Sequence, residues 1–369
     1  MLSPLDDYPL HQIAEPVRIV GTSDRNFYDR YYFNLHHRDD DLMVTMGLGH
    51  YPNLEVADAF VAATRGGSQY VMRSSRELGT DRRDTTVGPI SIEVLEGLRS
   101  LRVRADPAAS GADDAGDPAI DLDVTWTPSI PAFLEARHVN RRGVRLTTDT
   151  SRFFQTGFWS GRLRIADETF EVEPQTWWGG RDRSWGIRPV GGPEPAGRQR
   201  SDGPGGFLWV YCTMQFEDFS ILCILQEDRT GGRSLEQAVR VWPEDSKREP
   251  EPLGRVEHTL RFVSGTRRVE GAELTFTPAD GRATVVSVEP ITASYLSLGT
   301  GYGMETDWRH GMYQGPLVTQ HHAFDLADAG VQARTRGLID NLARFEVDGR
   351  VGYGLFENAL LGPNDRYGF

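Results

Sequence analysis

The chain predicts an all-β protein built from two antiparallel units, and three observations lead there. Forty glycines and 10% aromatic residues accompany many β-branched segments, a mixture that suits pleated surfaces joined by frequent turns. Apolar and polar residues alternate along most of the patterned stretches, while the 3.6-residue period of an amphipathic helix is scarce. Finally, 369 residues at roughly 150 per domain amount to about two domains, or one large β architecture.

In order along the chain, alternation predicts strands over 42–49, 70–76, 90–104, 121–127, 153–171, 206–226, 255–263, 272–277, 284–288, 317–326 and 352–357. The segment 26–34 (NFYDRYYFN) could cap a cavity or a partner surface, with aromatic packing in a core or interface the favoured reading. A short helix is the favoured reading of 55–63, although its Val, Ala and Phe content would also suit a strand. Small, acidic and Pro/Gly-bearing residues make 105–119 a loop, and 191–206 is richer still in Gly and Pro. A linker over 191–205 would divide an N-terminal unit, 1–190, from a C-terminal one, 206–369.

One hairpin follows in detail. A two-residue turn at Glu217 and Asp218 pairs Phe216 with Phe219, Met214 with Ile221, Cys212 with Cys223 and Val210 with Leu225. That face is wholly apolar and belongs in a core. The other face carries Trp209, Tyr211, Thr213, Gln215 and Gln226, as expected of a barrel wall lining a ligand cavity or of a sandwich edge contacting another domain.

Composition excludes several functions. The balance of 40 basic against 53 acidic residues gives −13, so a nucleic-acid partner is not expected. Lys247 is the single lysine, which rules out Schiff-base chemistry, pyridoxal phosphate and a P-loop. Cys212 and Cys223 are too few for a zinc site or a disulfide framework and should be reduced and buried. No apolar run approaches the ~18 residues of a membrane helix, and the opening MLSPLDDYPLHQ lacks the bases of a secretory signal. A cytoplasmic protein is expected, with homo-oligomerisation left open.

Chemistry concentrates in WWGGRDRSWGIR, residues 177–188, with three tryptophans, three arginines and three glycines around one aspartate and one serine. Read as a turn, it would present Asp182 as a proton donor or orienting group, between Arg181 and Arg183, whose charges lower its pKa unless burial raises it. Trp177, Trp178 and Trp185 would supply flat apolar walls. The same letters also fit an Arg–Asp network fastening two sheets. Glu357 lies in an apolar, glycine-rich segment (GYGLFENALLG) and is either salt-bridged or functional. In GTGYGMETDWRHGMYQG, Glu305, Asp307 and His310 could form an acid–base set, or simply decorate a turn. The run His36 to Asp41 and the pair His321 and His322 match no metal-ligand spacing, so no metal site is expected.

The run Trp178, Gly179, Arg181, Asp182, Ser184, Trp185, Gly186 and Arg188 resembles the signature of the carotenoid 1,2-hydratase (hydroxyneurosporene synthase)-like proteins, to which tocopherol cyclases and fungal Diels–Alderases are similar in architecture. The resemblance implies two lipocalin-like β-barrels packed side by side, with a hydrophobic cleft at or between them. It also implies water addition, ring closure or pericyclic cyclisation without an organic cofactor. Where a hydratase of that group would place a histidine beside the aspartate, this chain has Arg181 and Arg183.

The expectation is therefore a hydratase, isomerase or cyclase for a hydrophobic terpenoid, steroid or polyketide-like molecule. Asp182, Glu357 and His310 would handle the proton. Trp177, Trp178, Arg181, Arg183, Trp185, Trp209, Tyr211, Tyr302 and Tyr353 would bind substrate. Protonating an alkene needs an acid held in a dry pocket, and aromatic faces stabilise the resulting cation. The alternative is a lipocalin-like carrier that binds an apolar metabolite and returns it unchanged.

Overall fold

The computed structural model describes residues 2–38, 40–109, 119–193, 205–279, 281–302 and 305–369. Strand accounts for 57% of it and helix for 5%, arranged as a nearly closed barrel beside a half-barrel sheet. Among the described residues no helix is long and apolar enough to cross a membrane.

The barrel sheet runs, in spatial order, through Leu317–Asp325, Ser68–Glu77, Val56–Arg65, Met43–Tyr51, Phe27–His37 and Trp177–Ile187. It continues through Arg145–Ile165, Ile120–Pro128, Ser100–Ala105, Ile90–Glu96 and Thr86–Val87. The half-barrel begins with Glu251–Pro252, Arg233–Val241, Ser220–Glu227 and Phe207–Gln215. Arg350–Leu361, Ile339–Val347, Thr284–Tyr295, Val269–Thr277 and Arg255–Phe262 complete it. The second half of the chain also contributes Leu317–Asp325 to the barrel, where it pairs with Ser68–Glu77.

Three apolar clusters hold these sheets. Phe33, Leu35, Val124, Trp126, Trp159 and Leu163 help fill the barrel interior. Val210, Cys212, Met214, Ile221, Cys223 and Leu225 cover one face of the half-barrel. Between the sheets, Tyr32 and Phe154 from the barrel meet Trp209, Tyr211, Leu342 and Leu355 from the half-barrel. Arg145–Ile165 contacts Phe207–Gln215 across this seam, and Trp177–Ile187 contacts Arg350–Leu361.

The hairpin has the expected register: Val210 faces Leu225, Cys212 faces Cys223 and Met214 faces Ile221. The turn is closed by Phe216 N–H donating to the Phe219 carbonyl at 2.9 Å. Both cysteines are free and buried. Its amphipathic face looks onto the seam.

Three local readings change. The favoured helix over 55–63 is the strand Val56–Arg65, buried at every position except its last. A strand covered on both sides loses its alternation, and alanine-rich burial then imitates a helix. The aromatic segment 26–34 packs in the core as expected, with Tyr28, Tyr32 and Phe33 buried on the strand Phe27–His37. The expected strand 90–104 is a hairpin reversing near Leu98 at φ 61°, and 153–171 is the 21-residue strand Arg145–Ile165 followed by a turn at Ala166 and a short return strand. The loops expected over 105–119 and 191–206 lie largely outside the described residues.

Candidate active site at the seam

Residues 177–187 form a straight strand, not a turn. Of its three glycines only Gly186 has a positive φ, at 130°. Gly179 serves close approach instead: a Cβ there would stand 2.0 Å from the Asn34 carbonyl oxygen and 2.7 Å from Trp159 Nε1.

Because strand side chains alternate, this strand divides its chemistry between two faces. Asp182 lies level with Tyr32 and Phe154 and faces the seam, whereas Arg181 lies level with Phe33 and Gln155 and faces the barrel interior. There Arg181 donates to Gln155 Oε1 at 2.5 and 3.1 Å and lies 4.7 Å over the Trp126 ring. Arg183 pairs with Asp29 and lies 4.1 Å over the Tyr31 ring. Neither arginine is hydrogen-bonded to Asp182, and neither is among the main influences on its pKa. Burial instead pushes the Asp182 carboxyl up to about 7, with Glu135 and Glu357 adding to the shift and Arg152 and Arg188 opposing it. Asp182 nevertheless keeps part of its surface open.

The half-barrel supplies the facing wall. Glu357 is the cross-strand neighbour of Tyr211 on one side and Asp340 on the other. Trp209 Nε1–H donates to Glu357 Oε1 at 2.5 Å, and Tyr32 OH donates across the seam to Asp340 Oδ2 at 2.5 Å. Burial drives the Glu357 carboxyl up, and burial together with the Glu357 charge drives Asp340 well up. Two carboxyls this close in a dry seam hold at most one charge between them. Glu135 accepts from Arg152 Nε at 2.6 Å and from Tyr211 OH at 2.9 Å. The rings of Phe207, Trp209 and Tyr211 lie parallel, with centroids 6.4 and 6.2 Å apart, and Arg152 lies 4.3 Å over Tyr211.

Tyr302 closes another side. Its hydroxyl is pushed up to about 12 by burial, opposed by Arg30 and Arg188 and reinforced by Glu357 and Asp182. His310 packs edge-on to Tyr302 at 4.4 Å. Burial and the charges of Arg30 and Arg188 push its pKa well down, so the ring is neutral. Nε2–H donates to the Thr300 carbonyl at 2.9 Å, leaving Nδ1 to accept from Arg188 Nη2 at 3.3 Å. Beside it, buried Arg30 donates to Asp58 at 2.9 Å and to Tyr51 OH at 2.7 Å, while Asp58 accepts from Gly311 N–H at 2.6 Å.

Of the residues singled out in the sequence, the seam therefore gathers Asp182 and Glu357 with Trp209, Tyr211 and Tyr302. His310 adjoins Tyr302. Trp178 and Tyr353 also face the seam, four residues further along their strands, with rings 6.4 Å apart. Trp177 turns into the barrel against His37 and Phe170, and Trp185 sits half-exposed against Phe153. Glu305 pairs with Arg73 at 2.9 Å and Arg334 at 3.1 Å rather than with His310. Sequence reasoning missed Asp340, Tyr32, Glu135 and Arg152. Two carried a local signal: Tyr32 lies in the aromatic segment 26–34, and Asp340 is an acid among Leu338, Ile339 and Leu342. Among the described residues no group of three or more His, Cys, Asp and Glu is arranged to hold a metal ion.

Fold and site together define a two-sheet, lipocalin-like β protein with titratable carboxyls sequestered at the junction of its sheets. The chain belongs to the family of unknown function DUF8625, which it matches over residues 2–369. No curated protein matches its sequence. Among solved structures it is similar to an AttH candidate of Nitrosomonas europaea, with TM-score 0.55 and 14% identity, covering 95% of this chain and 98% of that one. It is also similar to kievitone hydratase of Nectria haematococca, with TM-score 0.50 and 16% identity, covering 92% of each chain. At such identities the likeness is one of fold, and to that extent the resemblance to lipocalin-like hydratases holds.

Proposed function

We propose that this protein is a hydratase or cyclase that protonates a carbon–carbon double bond of a hydrophobic terpenoid, steroid or polyketide-like molecule in the seam. The observation that carries this reading is the convergence of Asp182, Asp340 and Glu357 between two aromatic-lined sheets. A kievitone hydratase on the same fold supports it.

Asp182, holding its proton near neutral pH, delivers it to one alkene carbon, and the cation forms on the other. The faces of Trp209, Tyr211 and Tyr302 and the shared negative charge of Asp340 and Glu357 stabilise that cation in a region with little water. In hydration, water adds to the cation and its surplus proton passes to the carboxylate of that pair. In cyclisation, a second double bond of the substrate adds instead, and a carbon-bound proton is lost to the same base. Either sequence returns one proton for the one delivered. Exchange between the carboxyls or with solvent then resets Asp182. No step calls for a cofactor.

The test incubates the protein with a panel of prenylated phenols, terpenoids and polyketide alkenes in heavy water containing oxygen-18. Hydration installs one carbon-bound deuterium and one oxygen-18, whereas cyclisation installs deuterium alone. Asp182→Asn should abolish both at unchanged circular dichroism. Ligands bound tightly but recovered unlabelled, or full turnover by Asp182→Asn, would replace this reading with that of a carrier or of a different acid.

A further inference from the structure

The seam holds more unpaired polar groups than its carboxyl site explains. From Asp182 the barrel wall continues through Gly180 to Trp178, about 13 Å of strand, where the Trp178 ring meets Tyr353 of the half-barrel at 6.4 Å. His36 is the cross-strand neighbour of Trp178 and of Met43, which packs between the sheets, and Thr45 stands beside Asn34 on the same face. On the facing wall Gln215 is the neighbour of Tyr353. Thr213 Oγ1 lies 3.1 Å from the point where a Cβ on Gly180 would stand, so the glycine leaves room for it.

His36 and Thr45 are 0% exposed, Gln215 1% and Thr213 3%. Among the described residues, both ring nitrogens of His36, both amide atoms of Gln215 and the hydroxyls of Thr45 and Thr213 have no hydrogen-bond partner. Buried polar groups are normally paired, and each one left unpaired costs free energy. The sheets do pair elsewhere along this stretch: Thr156 and Ser220, level with Gly180 and Gln215, join their hydroxyls across the seam at 2.6 Å. The chemistry of the six unpaired atoms defines what would satisfy them. Burial and neighbouring His37 push the His36 pKa down to about 3, so its ring is neutral, with one N–H and one unprotonated nitrogen in either tautomer. The glutamine and the threonines likewise offer both a donor and an acceptor. A hydroxyl, itself both, matches every one of them. A carboxylate brings a charge that neutral groups do not balance, and a hydrocarbon leaves all six stranded.

We propose that the stretch of seam between Gly180 and Trp178 recognises hydroxyl groups on an otherwise apolar ring system, so that the substrate is a polyphenol or hydroxylated polyketide and not a hydrocarbon terpene. This rests on the reading of the seam as the reaction site, and it narrows the substrate class within that reading. The strand from Trp178 to Asp182 is about as long as two linked aromatic rings, which lets hydroxyls at one end of a substrate fix a double bond at the other. Entry between the closed walls costs free energy, and pairing the stranded groups offsets it.

The probes share one skeleton: trans-stilbene, 4-hydroxystilbene and 3,4′,5-trihydroxystilbene, each measured against the full chain by equilibrium dialysis. The trihydroxy probe should bind at least about tenfold more tightly than the hydrocarbon, with the monohydroxy probe between them, although it is the least hydrophobic of the three. Thr213→Val and Gln215→Met keep side-chain volume and remove unpaired groups. Together they should lower affinity for the trihydroxy probe at least about tenfold and leave that for stilbene unchanged. The thermal midpoint of this double variant should rise by a few degrees, because apolar groups replace stranded polar ones, whereas a merely structural role would lower it. Thr213→Val alone should show both changes in smaller measure. Equal or weaker binding of the trihydroxy probe, no binding of it up to its solubility limit, or a double variant that keeps the preference or melts earlier would overturn the proposal. Binding is read without turnover, so failure of the catalytic reading leaves this result standing, whereas turnover of an unoxygenated alkene would sink this inference alone.

Discussion

Replacing Asp182 by Asn keeps the side-chain volume and removes the only charge this position can carry. In the folded protein the carboxyl holds its proton up to about pH 7, whereas in the unfolded chain it releases it near 3.8. Between those values the folded state carries the extra proton, so rising pH favours the unfolded state and stability falls. The gap corresponds to about 4 kcal/mol at 1.36 kcal/mol per tenfold, of which screening and relaxation leave about 2–4 kcal/mol. Asp182→Asn should therefore be more stable than the parent by that amount at pH 8.5, and the difference should vanish by pH 4. Urea unfolding of both proteins across this range measures it, since contributions from all other groups cancel in the comparison. The same substitution should abolish turnover, and turnover of the parent should decline above about pH 7 as Asp182 loses the proton it donates. A variant equally or less stable at pH 8.5 would refute the reasoning and mark Asp182 as an architectural ion-pair partner.

Other substitutions probe the walls of the site. Gly47→Ala places a Cβ 2.6 Å from Arg30 Nη2 and 2.7 Å from the Phe60 ring, and with Arg30 held by Asp58 and Tyr51 it should cost about 1–3 kcal/mol in urea unfolding. Arg152→Met strands Glu135, whose side chain is 1% exposed, and should cost about 3–5 kcal/mol, most of it recovered by adding Glu135→Gln. Burial pushes the Cys223 thiol up to about 12 and the Cys212 thiol well up, so neither should react with a thiol reagent until the protein unfolds.

The strand Trp177–Ile187 shows where reading the chain succeeds and where it stops. Its density of Trp, Arg and Asp marked it as the place to look, and it does border the site. The inference that Arg181 and Arg183 flank the Asp182 carboxyl failed because a β-strand sends adjacent side chains to opposite faces. That alternation also sorted Trp177 from Trp178. Val56–Arg65 failed differently, since cover on both faces erased the period that would have identified it as a strand.

The order of residues alone determined the all-β character, the register and buried face of the Phe207–Gln215 hairpin, and the choice of Asp182 and Glu357 as carboxyls worth following. These depend on local alternation and turn chemistry, which act over a few residues. Only the tertiary structure decided that Asp340 stands beside Glu357, that Tyr32 reaches it from the other sheet, and that Arg152 is held by Glu135. Those pairs lie 17 to 308 residues apart, and what makes them chemistry is the low dielectric of a seam that exists only once both sheets have closed over it.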